Sequence, residues 1–180
     1  MDKAVYQKVI AAALSYVSIR PRSEKELQRF IERRVLKLER SDDDDDDEEE
    51  ELVATVLGRL RELGYADDIS FARTWVENRG SHRPKGMRVL KQELTRKGIK
   101  PEIIEEVLGC QPESEFELAR RAVGRRFELY SNLPSLERKK RIWGFLMRRG
   151  FDGGVISRLV DELVETRYNT KDTEGNLPSG

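Results

Sequence analysis

The chain has 180 residues, of which 37% are hydrophobic and 38% charged, against about 45–50% and about 25% in a typical globular protein. Basic and acidic residues number 34 each, but ten of the acids are consecutive, Asp42 to Glu51, so the remainder is basic by ten charges. With Cys110 the only cysteine and His82 the only histidine, a disulfide framework, Cys- or His-based zinc sites and histidine general-base chemistry are excluded.

Along the chain the apolar spacing is helical. Val5, Val9, Ala12 and Tyr16 recur at steps of four, three and four, predicting a helix over 3–18. Its apolar stretch Val9–Val17 follows Lys8 but is too short to span a bilayer and lacks a small-residue cleavage site. It reads as a core helix of a soluble, cytoplasmic protein. Ser23 with Glu26 three positions on forms a capping box that opens a helix over 24–38. The acidic run is expected to be a mobile loop (41–51), because adjacent carboxylates repel and cannot be buried. Further helices are predicted over 50–63, 68–79, 86–97, 101–108, 113–130, 135–149 and 153–166. Gly64, Gly98 and Gly150 follow helical stretches, where a left-handed residue is wanted. Pro101, Pro112 and Pro134 stand at helix beginnings, and Asp67 and Asp68 offer caps to the helix they precede. Phe71, Trp75, Phe127 and Trp143 fall on apolar stripes and are assigned to the core, while Tyr65 and Phe151 are expected to tie adjacent helices. Residues 167–180 read as a disordered polar tail. The fold class is all-α.

An internal repeat organises these helices. Leu94-Thr-Arg-Lys-Gly98-Ile99 aligns with Leu146-Met-Arg-Arg-Gly150-Phe151 at an offset of 52. The match continues through Ile103/Val155, Ile104/Ile156, Val107/Leu159 and Leu108/Val160. A third copy, Phe30 to Arg34 followed by Leu52, Val53, Val56 and Leu57, has Val35 where the others have glycine. Three three-helix, helix-turn-helix-like units are expected, over 1–64, 65–109 and 110–166. Such small units bury little alone and should stack into an elongated tandem array, a shape that suits binding rather than chemistry.

Gly80-Ser-His-Arg-Pro-Lys-Gly86 lacks the residue order of a phosphate loop. It reads as a loop ending at a tight approach, with Gly86 starting the next helix. Glu105/Glu106 and Asp67/Asp68 sit at helix starts or on polar faces, where solvation and capping explain them, and the acidic run has no calcium-loop spacing. No catalytic, metal or cofactor site is assigned. The basic clusters are the strongest signal. Arg83, Lys85, Arg88, Lys91, Arg96, Lys97 and Lys100 face one acid, Glu93; Arg138 to Arg149 holds six basic residues and no acid; Arg120, Arg121, Arg125 and Arg126 form a third patch. From these, Arg83, Lys85, Arg88, Lys91, Arg96, Lys97, Arg120, Arg121, Arg138, Lys139, Arg148 and Arg149 are taken as candidates to face phosphate or an acidic protein surface.

The stretches Leu63 to Arg73, Gly86 to Ile99 and Lys140 to Phe151, with the opening Ala13-Leu14-Ser15-Tyr16 and Arg20 to Glu26, resemble the RecX family, bacterial modulators of the RecA recombinase. The resemblance covers residues 4 to 165. It implies three tandem three-helix units, no catalytic site, and docking along a RecA filament on DNA to restrain ATP hydrolysis and strand exchange. It departs at Val35 and in the length and charge of the acidic insertion. The expected partners are the RecA filament and single- or double-stranded DNA, with no membrane, the chain itself being a monomer. The competing reading is a direct DNA-binding protein whose basic second helices lie in a major groove. Against it, the basic patches lack a base-reading set concentrated at a helix N-terminus.

Overall fold

The structure, a computed structural model, describes residues 3–38 and 46–173. Among them there are nine helices and no strand: α1 (Lys3–Ile19), α2 (Glu24–Leu38), α3 (Asp46–Glu62), α4 (Asp68–His82), α5 (Met87–Arg96), α6 (Pro101–Gly109), α7 (Glu115–Leu129), α8 (Ser135–Arg148) and α9 (Gly153–Thr173). The chain divides into two compact units, residues up to Trp75 with Glu93–Gly109, and Val76–Gln92 with Cys110 onward. The division falls inside α4 and α5.

In the first unit α1, α2 and α3 pack on one another. Val9, Ala13, Leu27, Ile31, Leu52, Val56 and Leu60 meet at their centre, each with under 2% of its surface exposed. The helical spacing of these residues puts one stripe per helix inward, and each fully buried aliphatic side chain contributes about 1.5–3 kcal/mol. Ser23 caps α2 as expected: its Oγ accepts from the Glu26 N–H, and the Glu26 carboxylate accepts from the Ser23 N–H. In the second unit α7, α8 and α9 enclose Ala119, Val123, Leu146, Ile156 and Leu159, with Phe145 and Phe151 closing the core. Ser114 opens α7 with a second capping box.

Three turns share one form. Gly64, Gly98 and Gly150 are the positive-φ residues among those described, at 75°, 84° and 82°. In each, the next residue's N–H reaches back to the carbonyl of a buried leucine: Tyr65 to Leu60, Ile99 to Leu94, Phe151 to Leu146. The glycine's own N–H bonds the carbonyl three residues earlier. This double bond pattern needs a left-handed residue, which glycine adopts without steric cost. Leu94 and Leu146 are both fully buried, as repeat equivalents should be.

Five sequence expectations require correction. Residues Asp46 to Glu51 are not loop but the first turns of α3, because carboxylates are favoured at the positive end of a helix and glutamate is a good helix former; Asp42 to Asp45 lie outside the described residues. The last helix does not stop at 166 but continues through Thr173, and the rest of the assigned tail, 174–180, lies outside the described residues. Trp143 is not core: it is 40% exposed. Tyr65 is 49% exposed, and the turn bond is made by its backbone. Asp67 does cap α4, accepting from the N–H groups of Ile69 and Ser70, but Asp68 accepts instead from the Glu24 N–H at the start of α2.

Candidate functional site

The segment before α5 is pinned to the turn after α8. The Gly86 N–H donates to the Arg149 carbonyl at 2.9 Å, and a Cβ at Gly86 would run into the Gly150 carbonyl and the Phe151 nitrogen. Only glycine permits this backbone approach. On the far side, Gly150 faces the Val89 backbone and side chain as closely. Glu115 clamps the same junction, its Oε1 accepting from the N–H groups of Met87 (3.0 Å) and Asp152 (3.3 Å). Arg88 donates to the Met147 carbonyl at 3.0 Å.

This junction collects arginines. Arg149 donates from Nη1 to the Pro84 carbonyl at 3.0 Å, which carries it beside Arg83. Its guanidinium lies 4.7 Å from the centre of the Phe145 ring. Arg126, from α7, packs on the same ring at 4.6 Å and donates to the Tyr130 hydroxyl. Phe145 is thus the platform that draws both cations to one place, with an attraction of about 0.5–2 kcal/mol for each. Arg149 is half-buried and Arg83 and Arg126 are exposed. Burial first, then the charges of Arg126 and Arg83, push the Arg149 guanidinium below its ordinary value. Among the described residues none of the three is ion-paired with a carboxylate. A partly desolvated, uncompensated cation beside two others costs stability in the free protein. The same arrangement gives planar, multidentate donors to a phosphate or a carboxylate.

The three arginines come one from each basic cluster of the sequence. Two of them, Arg83 and Arg149, are among the twelve candidates; Arg126 is not, although its position contained the signal. It stands three residues after Val123 and seven after Ala119, at the border of the buried stripe of α7. Arg120 and Arg121 lie off that stripe and are neutralised, by Glu162 and by Glu113 at 3.0 Å. Arg121 also donates to the Gly80 carbonyl.

The other candidates scatter. Arg138 is 8% exposed, bonding the Ser131 carbonyl. Lys139 pairs with Asp161 at 3.4 Å. Lys85 is half-buried, and Arg88, Lys91 and Arg148 are exposed. Arg96 and Lys97 belong to the first unit, where Arg96 is exposed. Lys97 there lies 2.8 Å from Glu26 and 5.1 Å from the centre of the Trp75 ring. Its backbone carbonyl accepts from the fully buried Ser23 Oγ at 2.7 Å. Among the described residues no group of three or more His, Cys, Asp or Glu side chains is placed to hold a metal ion, and no helix is long and apolar enough to cross a membrane.

Comparison with known proteins places the chain in a lineage. Residues 67–108 match the second three-helix domain of RecX and residues 113–160 the third. The regulatory protein RecX of Thermobifida fusca is 30% identical over 89% of this chain and 81% of its own. That of Prosthecochloris aestuarii is 31% identical over 91% of this chain and 99% of its own. The crystal structure of RecX from Lactobacillus salivarius superposes with a TM-score of 0.71 at 23% identity, over 89% of this chain and 97% of that one, and shares the fold. A second crystal structure of a regulatory protein RecX gives 0.66 at 26% identity, over 87% and 72%. Through these matches, over both three-helix domains and most of its length, the chain belongs to the RecX family of non-enzymatic regulatory proteins.

Proposed function

We propose that this chain regulates homologous recombination and DNA repair in the cytoplasm, docking as a monomer on filaments of the RecA recombinase on DNA. There it modulates, and mainly restrains, ATP hydrolysis and strand exchange. The observation that carries the reading is the cluster of Arg83, Arg126 and Arg149, whose repulsion is unrelieved in the free chain. A filament of protein and nucleic acid offers the carboxylates and phosphates that would relieve it. The three three-helix units, 1–64, 65–109 and 110–166, would present this and the other basic faces to successive parts of the polymer. Direct duplex binding is the second reading; the cluster provides phosphate contacts without a base-reading set, so it favours positioning over sequence readout.

The test is binding of the chain to RecA-coated single-stranded DNA, to bare DNA and to RecA without DNA, each at low and high salt, with Arg83→Glu and Arg126→Glu alongside the unsubstituted protein. Tightest binding to the coated filament, weakened by both substitutions with a shallower salt dependence, is the expected result. Equal affinity for bare and coated DNA would transfer the assignment to direct DNA binding. Unaltered filament binding by two well-folded charge reversals would remove the cluster from the interface.

A further inference from the structure

The exposed indole of Trp143 stands apart from the arginine cluster and has a cleft of its own. The cleft, about 360 Å³ in volume, opens between α8 and α9 and is lined by Lys139, Lys140, Trp143, Gly144, Ser157 and Val160, with Asp161 at its edge. Its floor is Val160, 5% exposed, and one wall is the Trp143 ring. Two small residues, Gly144 and Ser157, leave the space open. A Cβ at Gly144 would have as its near neighbour Nη1 of Arg148, at 3.3 Å, which places that guanidinium against the glycine that lines the cleft.

Two features decide what such a cleft takes. Large aromatic rings are ordinarily buried, because each hides some 150–250 Å² of apolar surface; one left 40% exposed on a helix is an unused stacking face. The charge around it is cationic: Lys140 and Arg148 are exposed, and neither is ion-paired among the described residues. Lys139 is shared with Asp161. On the same helix Glu137 is already held by Arg141 at 2.8 Å. A cleft walled by an indole and bordered by lysine and arginine fits a flat ring carried on an anionic chain. A purely apolar protein side chain would leave those cations unanswered. In a duplex the bases are already stacked on one another and offer no free ring face, whereas a single strand does.

We propose that the Trp143 cleft binds single-stranded nucleic acid, one base stacking on the indole while Lys140 and Arg148 contact the flanking phosphates. Base–aromatic stacking is tolerant of sequence, since every base has a π-face. This site is separate from the arginine cluster and does not rest on filament docking, so it is tested without RecA.

The experiment titrates the full chain with a single-stranded oligothymidylate and with a duplex of equal length, following tryptophan emission and affinity at low salt. Trp75, whose indole N–H is bonded to Glu93 at 3.0 Å, serves as the internal reference. The single strand should quench a component of emission that is missing in Trp143→Phe. Trp143→Ala should weaken single-strand binding about tenfold, the loss of one stacked base, while duplex affinity changes less than about twofold. Gly144→Leu keeps the indole, improves helix propensity and fills the cleft. It should abolish the quenching with native circular dichroism, which separates loss of the site from loss of fold. No quenching by saturating oligonucleotide, or single-strand affinity unchanged in both Trp143→Ala and Gly144→Leu, would overturn the proposal.

Discussion

Two places in this molecule gather charge, and they do it in opposite ways. In the first unit Glu26 stands between two cations, 2.8 Å from Lys97 and 3.1 Å from Arg20, while its carboxylate also closes the cap of α2. In the second unit Arg83, Arg126 and Arg149 converge without a carboxylate among the described residues. Both Lys97 and Arg149 belong to dense basic runs in the sequence, each beside the turn glycine of its repeat. One is used up in holding the fold; the other is left unanswered. Counting charge along a chain therefore locates basic segments but not binding sites. The discriminating fact is whether the tertiary structure brings an acid to the base.

Both regions rest on equivalent turns, so the largest expected effects come from breaking those. Leu94→Ala and Leu146→Ala each remove a fully buried side chain whose carbonyl receives the turn bond. Each should cost about 2–5 kcal/mol in chemical denaturation, the usual range for a leucine cavity. A cost near zero at either position would mean the two turns are not equivalent supports.

The next effect separates the regions by acid. Glu26 is pushed up by burial, but the hydrogen bonds from Arg20 and Lys97 outweigh this and hold it down at about 2, well below the usual carboxylate range. A carboxylate depressed on folding stabilises the native state above its unfolded pKa, and that contribution is lost as pH falls through the folded value. Denaturation followed from pH 5 to pH 2 should therefore show a loss of up to about 3 kcal/mol from this group. Glu26→Gln should remove that part of the acid sensitivity while lowering stability at neutral pH. The arginine cluster holds no carboxylate among the described residues, so Arg126→Ala should leave the acid profile unchanged. An acid profile that is the same with and without Glu26 would take away its role as the neutralising acid.

The elements themselves were legible because local rules govern them. The capping box at Ser23, the left-handed glycines at 64, 98 and 150, and the tight approach at Gly86 each depend on residues within a few positions. The head of α3 departs from the loop that like-charge repulsion alone predicts, because the helix-terminal field favours the same carboxylates. The site was half legible. Arg83 and Arg149 stood among the candidates, but their partner Arg126 had to be brought to them by Phe145, and Lys97 had to be matched with Glu26, 71 positions away. Such pairings are tertiary facts that no spacing encodes.

A smaller change tests how the cluster is assembled. Gly86→Ala should force the backbone of residues 84–86 away from the Arg149–Phe151 turn, costing about 1–3 kcal/mol, as overpacking does. With the Pro84 carbonyl displaced, Arg149 loses its hydrogen-bond acceptor and Arg83 its position beside it. Anion affinity should fall even at temperatures where the variant is fully folded. Native anion affinity in a folded Gly86→Ala protein would show that the close approach does not build the site.

The smallest expected change is also the most telling about the contrast with Glu26. Removing one member of an ion-paired set destabilises, because a charge is left without its partner. Removing one member of an all-cation set relieves repulsion. Arg126→Ala takes away a charge that disfavours Arg149, along with packing on Phe145, and these oppose each other. Its unliganded stability should lie within about 0.5 kcal/mol of the unsubstituted chain, the range of surface changes. Inorganic phosphate then separates the two proteins. Raising it from well below to about tenfold above its dissociation constant should add about 1.4 kcal/mol to the native state of the intact cluster, or roughly 3–6 °C in melting temperature. The non-specific stabilisation that phosphate gives any protein is common to both and cancels in the difference. A variant that melts several degrees lower without phosphate would show that Arg126 is a structural cation, as Lys97 is. An equal phosphate response in both would show that the three arginines do not act as one site.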